Sequence, residues 1–384
     1  MEKNAEELNT TKARNSNFEL LRIIMMLYIV TFHTILHGHV IGYLEGTHEF
    51  FVTFLISFLI IAVNVFVILS GYFQCKNKLK FSKVIALNNS VWFYSLTILV
   101  IATLFKIYTP TKLEIAKAIL PISFNDYWFM TMYFVLYLIS PMINKIILNT
   151  TRKQLKQYII LLFVINSILG IFTRGEFFNV ELGYSLYNFI MLYMIGAYLR
   201  LYPIRDSYHF KQMSKNKVQV IFITLYILSS ISNFVFNYFG RAISGVNEIV
   251  SWFGSVFFIQ HTAYNNPFVI IGAVSIFIFF EGLNINNKKI NKIAASSFGV
   301  YLIHDNPIVR ENLYKRIGLV RGGGYTTKTF LYVFFCAIII YSVCTVIEII
   351  RKYIFKKIYD TELAKSNRKK YRKFVDSLGY EINW

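Results

Sequence analysis

The chain has 384 residues, of which 55% are hydrophobic and only 16% charged, with 37 Phe and 27 Tyr; this balance excludes a soluble domain and reads as an integral membrane protein. A formal net charge of +20 does not make it a nucleic-acid binder, because the basic residues punctuate apolar stretches and crowd the C-terminal tail, as the positive-inside rule requires. Cys75, Cys336 and Cys344 have neither metal-ligand spacing nor the pattern of a disulfide framework, so no metal site is expected.

Residues 1–17 read as a short polar cytoplasmic tail, with Asn17 placed to cap the first helix. No compact basic region with a cleavage site precedes the first apolar stretch, which is expected to stay in the mature protein as a helix. Windows long enough for a hydrocarbon core of about 30 Å then fall at 18–38, 50–72, 84–106, 127–148, 157–173, 183–201, 218–239, 267–284, 291–309 and 329–350. The expected fold is all-α, a polytopic integral membrane bundle of about ten transmembrane helices. Lys and Arg concentrate in the N-terminal tail, in 73–83, 145–156, 200–217 and 288–292, and beyond Arg351; that alternation places both termini in the cytoplasm. Residues 18–350 form the membrane domain, and the basic tail 351–384 reads as an inner-leaflet anchor.

Two stretches fit less simply. The outer loop 310–328 carries several basic residues and the run RGGGY, as if to cover the outer mouth or meet an anionic partner. Segment 249–260 is apolar but too short to span, which suits a re-entrant or interfacial helix. No internal repeat of the kind found in inverted-repeat transporters is evident.

The first span, NFELLRIIMMLYIVTFHTILHGH from Asn17 to His39, carries Glu19, Arg22 and His33. At 3.6 residues per turn these share one face, and Arg22 and His33 stand about 16 Å apart along it. An ionised side chain in hydrocarbon costs roughly 2.5–3.5 kcal/mol on insertion scales, so the stripe implies a buried polar cavity. Glu19 and Arg22 alone could be a snorkelling pair at the inner interface. His33 lies past the midplane, too deep for that, which favours a functional role over a satisfied structural imidazole. His37, His39 and His48 read as solvated outer-loop residues.

Later spans add polar groups. Asn64 lies inside the second, which ends in LSGYF, where Ser70 and Gly71 allow close backbone approach. In the fourth, Tyr127 and Trp128 suit an interfacial belt, Tyr133 and Tyr137 at i,i+4 can place two hydroxyls on the cavity wall, and Pro141 should kink the helix. Glu281 ends the eighth span, where snorkelling is expected. In the ninth, His304 and Asp305 precede a helix-breaking Pro307, and His304 can face His33 at similar depth; an interfacial polar cluster is the alternative.

Together these residues resemble the acyltransferase family 3 membrane proteins. FELLR followed by His33 matches the Arg-X10-His signature, and SGYF (70–73), the YWF…Y…LISP…N run (127–144), GAYLR (196–200) and GVYLIHDNP (299–307) follow in the family's order. The resemblance implies an O-acyltransferase, usually an O-acetyltransferase, acting on hydroxyls of extracytoplasmic glycans such as O-antigen, peptidoglycan, capsule or exopolysaccharide, in a bacterial plasma membrane. Larger members append an esterase-like domain; without it, this sequence resembles the stand-alone polysaccharide type. The donor implied is acetyl-CoA or another acyl-CoA, used as a substrate with no resident cofactor. The partners expected are the bilayer, acyl-CoA and a surface polysaccharide or its lipid-linked precursor.

Under that resemblance Arg22 and Ser70 contact the donor, with Arg22 paired to a coenzyme A phosphate and Glu19 orienting its guanidinium. His33 acts as general base or as an acyl-accepting nucleophile, two routes the sequence leaves open. His304, Asp305, Tyr133, Tyr137 and Trp128 are candidates for holding the acceptor or steadying the oxyanion. A glycan transporter without acyl transfer is the competing reading, since a polar cavity among helices also describes one.

Overall fold

The computed structural model describes residues 14–38, 47–170, 181–243, 246–259, 262–317 and 327–359, among which helices are the only regular elements. The protein is an all-α polytopic membrane bundle. Six helical stretches among the described residues are long and apolar enough to cross a bilayer: Ser16–His37, Glu49–Gln74, Phe81–Leu104, Trp128–Leu148, Lys215–Gly240 and Leu331–Ile358. Leu186–Leu201 and Pro267–Glu281 are apolar but shorter.

Helix α1 (Ser16–His37) is capped by Asn15, whose side chain accepts from the Asn17 amide at 3.0 Å. Asn17, the expected cap, lies in the first turn; its side chain donates to the Leu283 carbonyl and accepts from the Ile285 amide at 2.8 Å, tying α1 to a distant link. The expected span 50–72 is interrupted: α2 (Thr47–Leu59) and α3 (Ala62–Gln74) are separated at Ile60–Ile61, with no Gly or Pro at the break. Just beyond it, buried Asn64 donates to the Tyr264 carbonyl at 2.7 Å.

Helices α4 (Phe81–Leu104), α5 (Lys112–Ile119) and α6 (Trp128–Leu148) follow. Pro141 lies within α6 and cannot donate to the Tyr137 carbonyl; the Ser140 hydroxyl does so instead at 2.7 Å, so the helix continues. Helix α7 (Arg152–Phe163) widens into a π-helical turn, Val164–Leu169, around buried Asn166. Next come α8 (Leu186–Leu201), α9 (Lys215–Ile243) and α10 (Glu248–Ile259), the last packing against α9. Helix α10 covers 249–259 of the short apolar segment and, at 12 residues, is about 18 Å long, too short to cross.

Helix α11 (Pro267–Glu281) is followed by the stretch expected to be one span at 291–309, which is three helices: α12 (Lys288–Ala294), α13 (Ser297–His304) and α14 (Pro307–Ile317). Arg310 belongs to α14, whereas the RGGGY run lies outside the described residues. Helix α15 (Thr327–Tyr359) runs past the expected boundary at 350. Glu348 explains the extension: it pairs with Arg351 at 2.7 Å and Lys352 at 3.2 Å on the next turn, and accepts from Tyr94 of α4. Residues 360–384 of the basic tail lie outside the described residues.

Helices α3 and α8 approach backbone to backbone. A Cβ on Gly71 would stand 2.0 Å from the Tyr193 carbonyl oxygen, and one on Gly196 2.0 Å from that of Ile68. Each glycine therefore admits the other helix's backbone. Gly71→Ala and Gly196→Ala should each destabilise the bundle by about 1–3 kcal/mol, seen as a lower thermal midpoint in detergent by fluorescence-detected size exclusion. An unchanged midpoint would refute so close an approach.

Two hydrophobic cores flank α1. Phe18, Leu21, Met25 and Ile35 pack into one with α3, α8 and α11, while Met26 and Val30 join the other with α4, α6, α13 and α15. The polar stripe of α1 opens between them.

Candidate active site

Between the cores lies a cavity of about 880 Å³, within the size range of small-molecule sites. Glu19, Arg22 and His33 line it together, so the stripe anticipated on α1 faces one chamber. Ser70 and Gln74 of α3, Trp128, Phe129 and Tyr133 of α6, Tyr264 and Tyr301 complete much of its wall.

One end is cationic. Exposed Arg14, Lys76, Lys83 and Arg200 line this mouth, with Arg22 deeper. Arg22 donates to Glu19 at 2.5 Å and lies over the Phe73 ring at 5.3 Å. Buried Glu19 also faces Arg14 at 3.6 Å, so one carboxylate steadies two guanidinium groups. Beside them Tyr72 donates to Glu281 at 2.9 Å and accepts from Arg200 at 3.3 Å. Glu281 is therefore held in this network and does not snorkel outward.

The deep end is built around two imidazoles from different helices. His33 Nδ1 lies 3.1 Å from His304 Nε2, and His304 Nδ1 lies 2.6 Å from the Val300 carbonyl oxygen. A carbonyl only accepts, so His304 carries its proton on Nδ1 and presents a lone pair at Nε2. In the neutral pair His33 must then donate from Nδ1, which leaves His33 Nε2 as its basic nitrogen. Asp305 Oδ1 is 3.5 Å from His33 Nδ1 and 3.4 Å from Arg310 Nη1, a buried charge shared between the two.

Tyr127 fixes this segment. Fully buried, it donates to the Leu302 carbonyl at 3.1 Å and accepts from Asn306 at 2.8 Å, so it latches α13 and is not a belt residue. His37 likewise belongs to the last turn of α1, with its ring 5.2 Å from that of His33 and 5.6 Å from Tyr314. His33, His37 and Asp305 bring one ligand atom each within 4.8 Å of one another, a donor set that suits a transition-metal cation. His39 and the His48 side chain lie outside the described residues.

The family model of the acyltransferase family 3 domain matches residues 15–349, from the cap of α1 deep into α15. The chain belongs to acyltransferase family 3. No curated protein and no solved structure matches it. It is therefore a multi-pass membrane acyltransferase, and the Arg-X10-His pair of α1 lies on the wall of this chamber.

The other sequence-selected residues of this acyltransferase divide. Ser70 lines the cavity, where its hydroxyl donates to the Phe66 carbonyl at 2.9 Å and meets the Tyr133 hydroxyl. Tyr133 lines it and accepts from Gln74 at 3.1 Å. Tyr137, one turn on, sits off the cavity wall and accepts from the Lys80 amide at 3.4 Å, so only one of the two expected hydroxyls faces the chamber. Trp128 lines the cavity, whereas His304 and Asp305 are buried behind His33.

Sequence reasoning missed the cationic rim of Lys76, Lys83 and Arg200. Their charges look the same whether they set topology or bind a ligand. It also missed Tyr264, which reaches the cavity from a non-helical link.

Proposed function

We propose that this acyltransferase moves a short acyl group, acetyl in the first instance, from cytoplasmic acyl-CoA to a hydroxyl of a cell-surface polysaccharide or its lipid-linked precursor. The observation that supports this most directly is a single chamber with a cationic mouth at one end and a tautomer-fixed histidine pair at the other.

Coenzyme A is polyanionic at its nucleotide end and carries the thioester on a long flexible arm. Arg14, Lys76, Lys83 and Arg200 would attract the phosphates, and Arg22, oriented by Glu19, would bond one of them through its planar fork. The separation of about 16 Å from Arg22 to His33 then gives the arm room to bring the thioester to the imidazole. His33 Nε2 takes the proton of the acceptor hydroxyl as its oxygen attacks the thioester carbonyl carbon. The tetrahedral intermediate collapses with cleavage of the carbon–sulfur bond, and the leaving thiolate takes the proton back from Nε2. Asp305 favours the transient imidazolium through its 3.5 Å approach to Nδ1.

Purified protein given acetyl-CoA and surface polysaccharide should release free coenzyme A and acetylate the glycan. Arg22→Lys, which keeps the charge but loses the fork, should raise the acyl-CoA KM about tenfold or more. The interruption at Ile60–Ile61 is a feature that broken-helix transporters share. Glycan translocation without acetyl-CoA consumption would establish that reading and defeat this one.

A further inference from the structure

Away from the cationic mouth, the cavity wall ends in aromatic rings that the catalytic scheme above leaves unused. Trp128 and Tyr264 both line the chamber, with ring centroids 5.6 Å apart and planes 26° from parallel. Tyr184 touches both, 4.6 Å from Trp128 and 4.9 Å from Tyr264, and is 37% exposed. The trio therefore runs from the chamber wall to the surface.

Its position along the bundle follows from the helices it precedes. Tyr184 stands just before α8, whose last turn carries Arg200 at the mouth. Those 16 residues separate the two by about 24 Å. Tyr264 likewise precedes α11, which ends at Glu281 beside the same mouth. The aromatic trio thus lies at the end of the chamber opposite the cationic mouth.

Two non-helical links carry the tyrosines, and they are locked together. The Tyr264 amide donates to the Leu182 carbonyl at 2.9 Å, and Gly183, at φ +85°, lies so close that a Cβ would meet the Asn265 nitrogen at 2.4 Å. Buried asparagines bolt the links to the helices. Asn64 donates to the Tyr264 carbonyl at 2.7 Å, Asn188 to that of Gly183 at 3.0 Å and Asn265 to that of Asn166 at 2.7 Å. Irregular backbone inside a membrane protein persists where it is buried or lines a cavity. Belt aromatics face lipid, whereas Trp128 and Tyr264 face the chamber.

We propose that Trp128, Tyr184 and Tyr264 form the acceptor subsite, taking a neutral pyranose ring of the glycan against their faces and hydroxyls so that its alcohol reaches His33. This deepens the acyl-transfer reading and rests on it. Aromatic faces cover the apolar CH faces of a sugar while phenol groups bond its hydroxyls, and a rigid platform loses little entropy on binding. The different chemistry of the two ends separates donor from acceptor: polyanionic coenzyme A is drawn to the basic rim, and an uncharged sugar to the rings.

The test uses the full chain, radiolabelled acetyl-CoA, and surface polysaccharide extracted from the producing cell as the probe. Tyr184→Ala, at an exposed site, should raise the polysaccharide KM about tenfold while the acetyl-CoA KM keeps its wild-type value. Tyr184→Phe, which keeps the ring, should recover most of that loss. Tyr264→Phe should raise the polysaccharide KM alone by removing one hydroxyl. An unaltered polysaccharide KM in all three variants, or a rise confined to the acetyl-CoA KM, overturns the assignment. Wild-type protein that transfers no acetyl group would instead refute the reading beneath it, and the subsite with it.

Discussion

His33→Ala is expected to lower the rate of acyl transfer by about 10²- to 10⁴-fold, the range that a positioned general base contributes. The protein should still fold and insert. His33 adds little to either hydrophobic core, and its side chain is 13% exposed to the chamber. Its loss does leave His304 Nε2 and Asp305 without one neighbour. A chamber polar enough to line with Glu19, Arg22 and Tyr133 can admit water to those groups. Acetyl-CoA affinity should hold, because the basic rim proposed to meet the phosphates lies about 16 Å away. The measurements are single-turnover acetyl transfer and acetyl-CoA binding by calorimetry on the same preparation. Binding retained with transfer lost places His33 in the chemistry. Transfer within about tenfold of wild type would remove it from that role, and the nucleophile reading would fail with it.

The same residues show why one part of the site is legible in the sequence. Glu19, Arg22 and His33 stand out because ionisable groups are costly in an apolar window, so their shared helical face requires a chamber. The chamber follows from that one stripe. Its walls do not. Tyr127 and Trp128 are adjacent and look alike as belt aromatics, yet Tyr127 turns inward to hold Leu302 and Asn306 while Trp128 lines the cavity. Orientation about the helix axis separates them, and a two-residue pattern at a helix start does not fix it.

Helix breaks were hidden for a related reason. The sequence 50–72 is uncharged and mostly apolar and has no Gly or Pro at Ile60–Ile61, so hydropathy reads one span. The signal was Asn64, whose amide leaves its own helix to meet the Tyr264 carbonyl. Asn166 and Asn188 are the same kind of marker: each lies inside a helical segment, is fully buried, and bonds across to another element. Buried amides within spans thus locate irregular backbone that hydropathy alone passes over.

Removing His304 should cost nearly as much as removing His33 itself, although His304 lies behind the reacting atoms. The argument is a chain of fixed protons. The Val300 carbonyl holds the His304 proton on Nδ1, His304 Nε2 therefore accepts from His33 Nδ1, and His33 Nε2 is left free to take the proton of the alcohol. In His304→Leu the acceptor left beside His33 Nδ1 among the ion pairs of the described residues is Asp305 at 3.5 Å, itself shared with Arg310. The imidazole can then tilt, or carry its proton on the nitrogen that should act as base. Transfer should fall about 10²-fold or more, since a mis-set tautomer in a comparable histidine–carboxylate site costs about 10⁴. His304→Gln is the discriminating variant. Its amide oxygen reaches roughly where Nε2 stood and can only accept from His33, so it should recover most of the rate lost in His304→Leu. Both variants should keep the wild-type acetyl-CoA KM, because no donor contact is touched. If His304→Leu and His304→Gln lose activity equally, or if either weakens acetyl-CoA binding, His304 acts by something other than presenting an acceptor to His33. The general-base assignment would then need a different source for its tautomer.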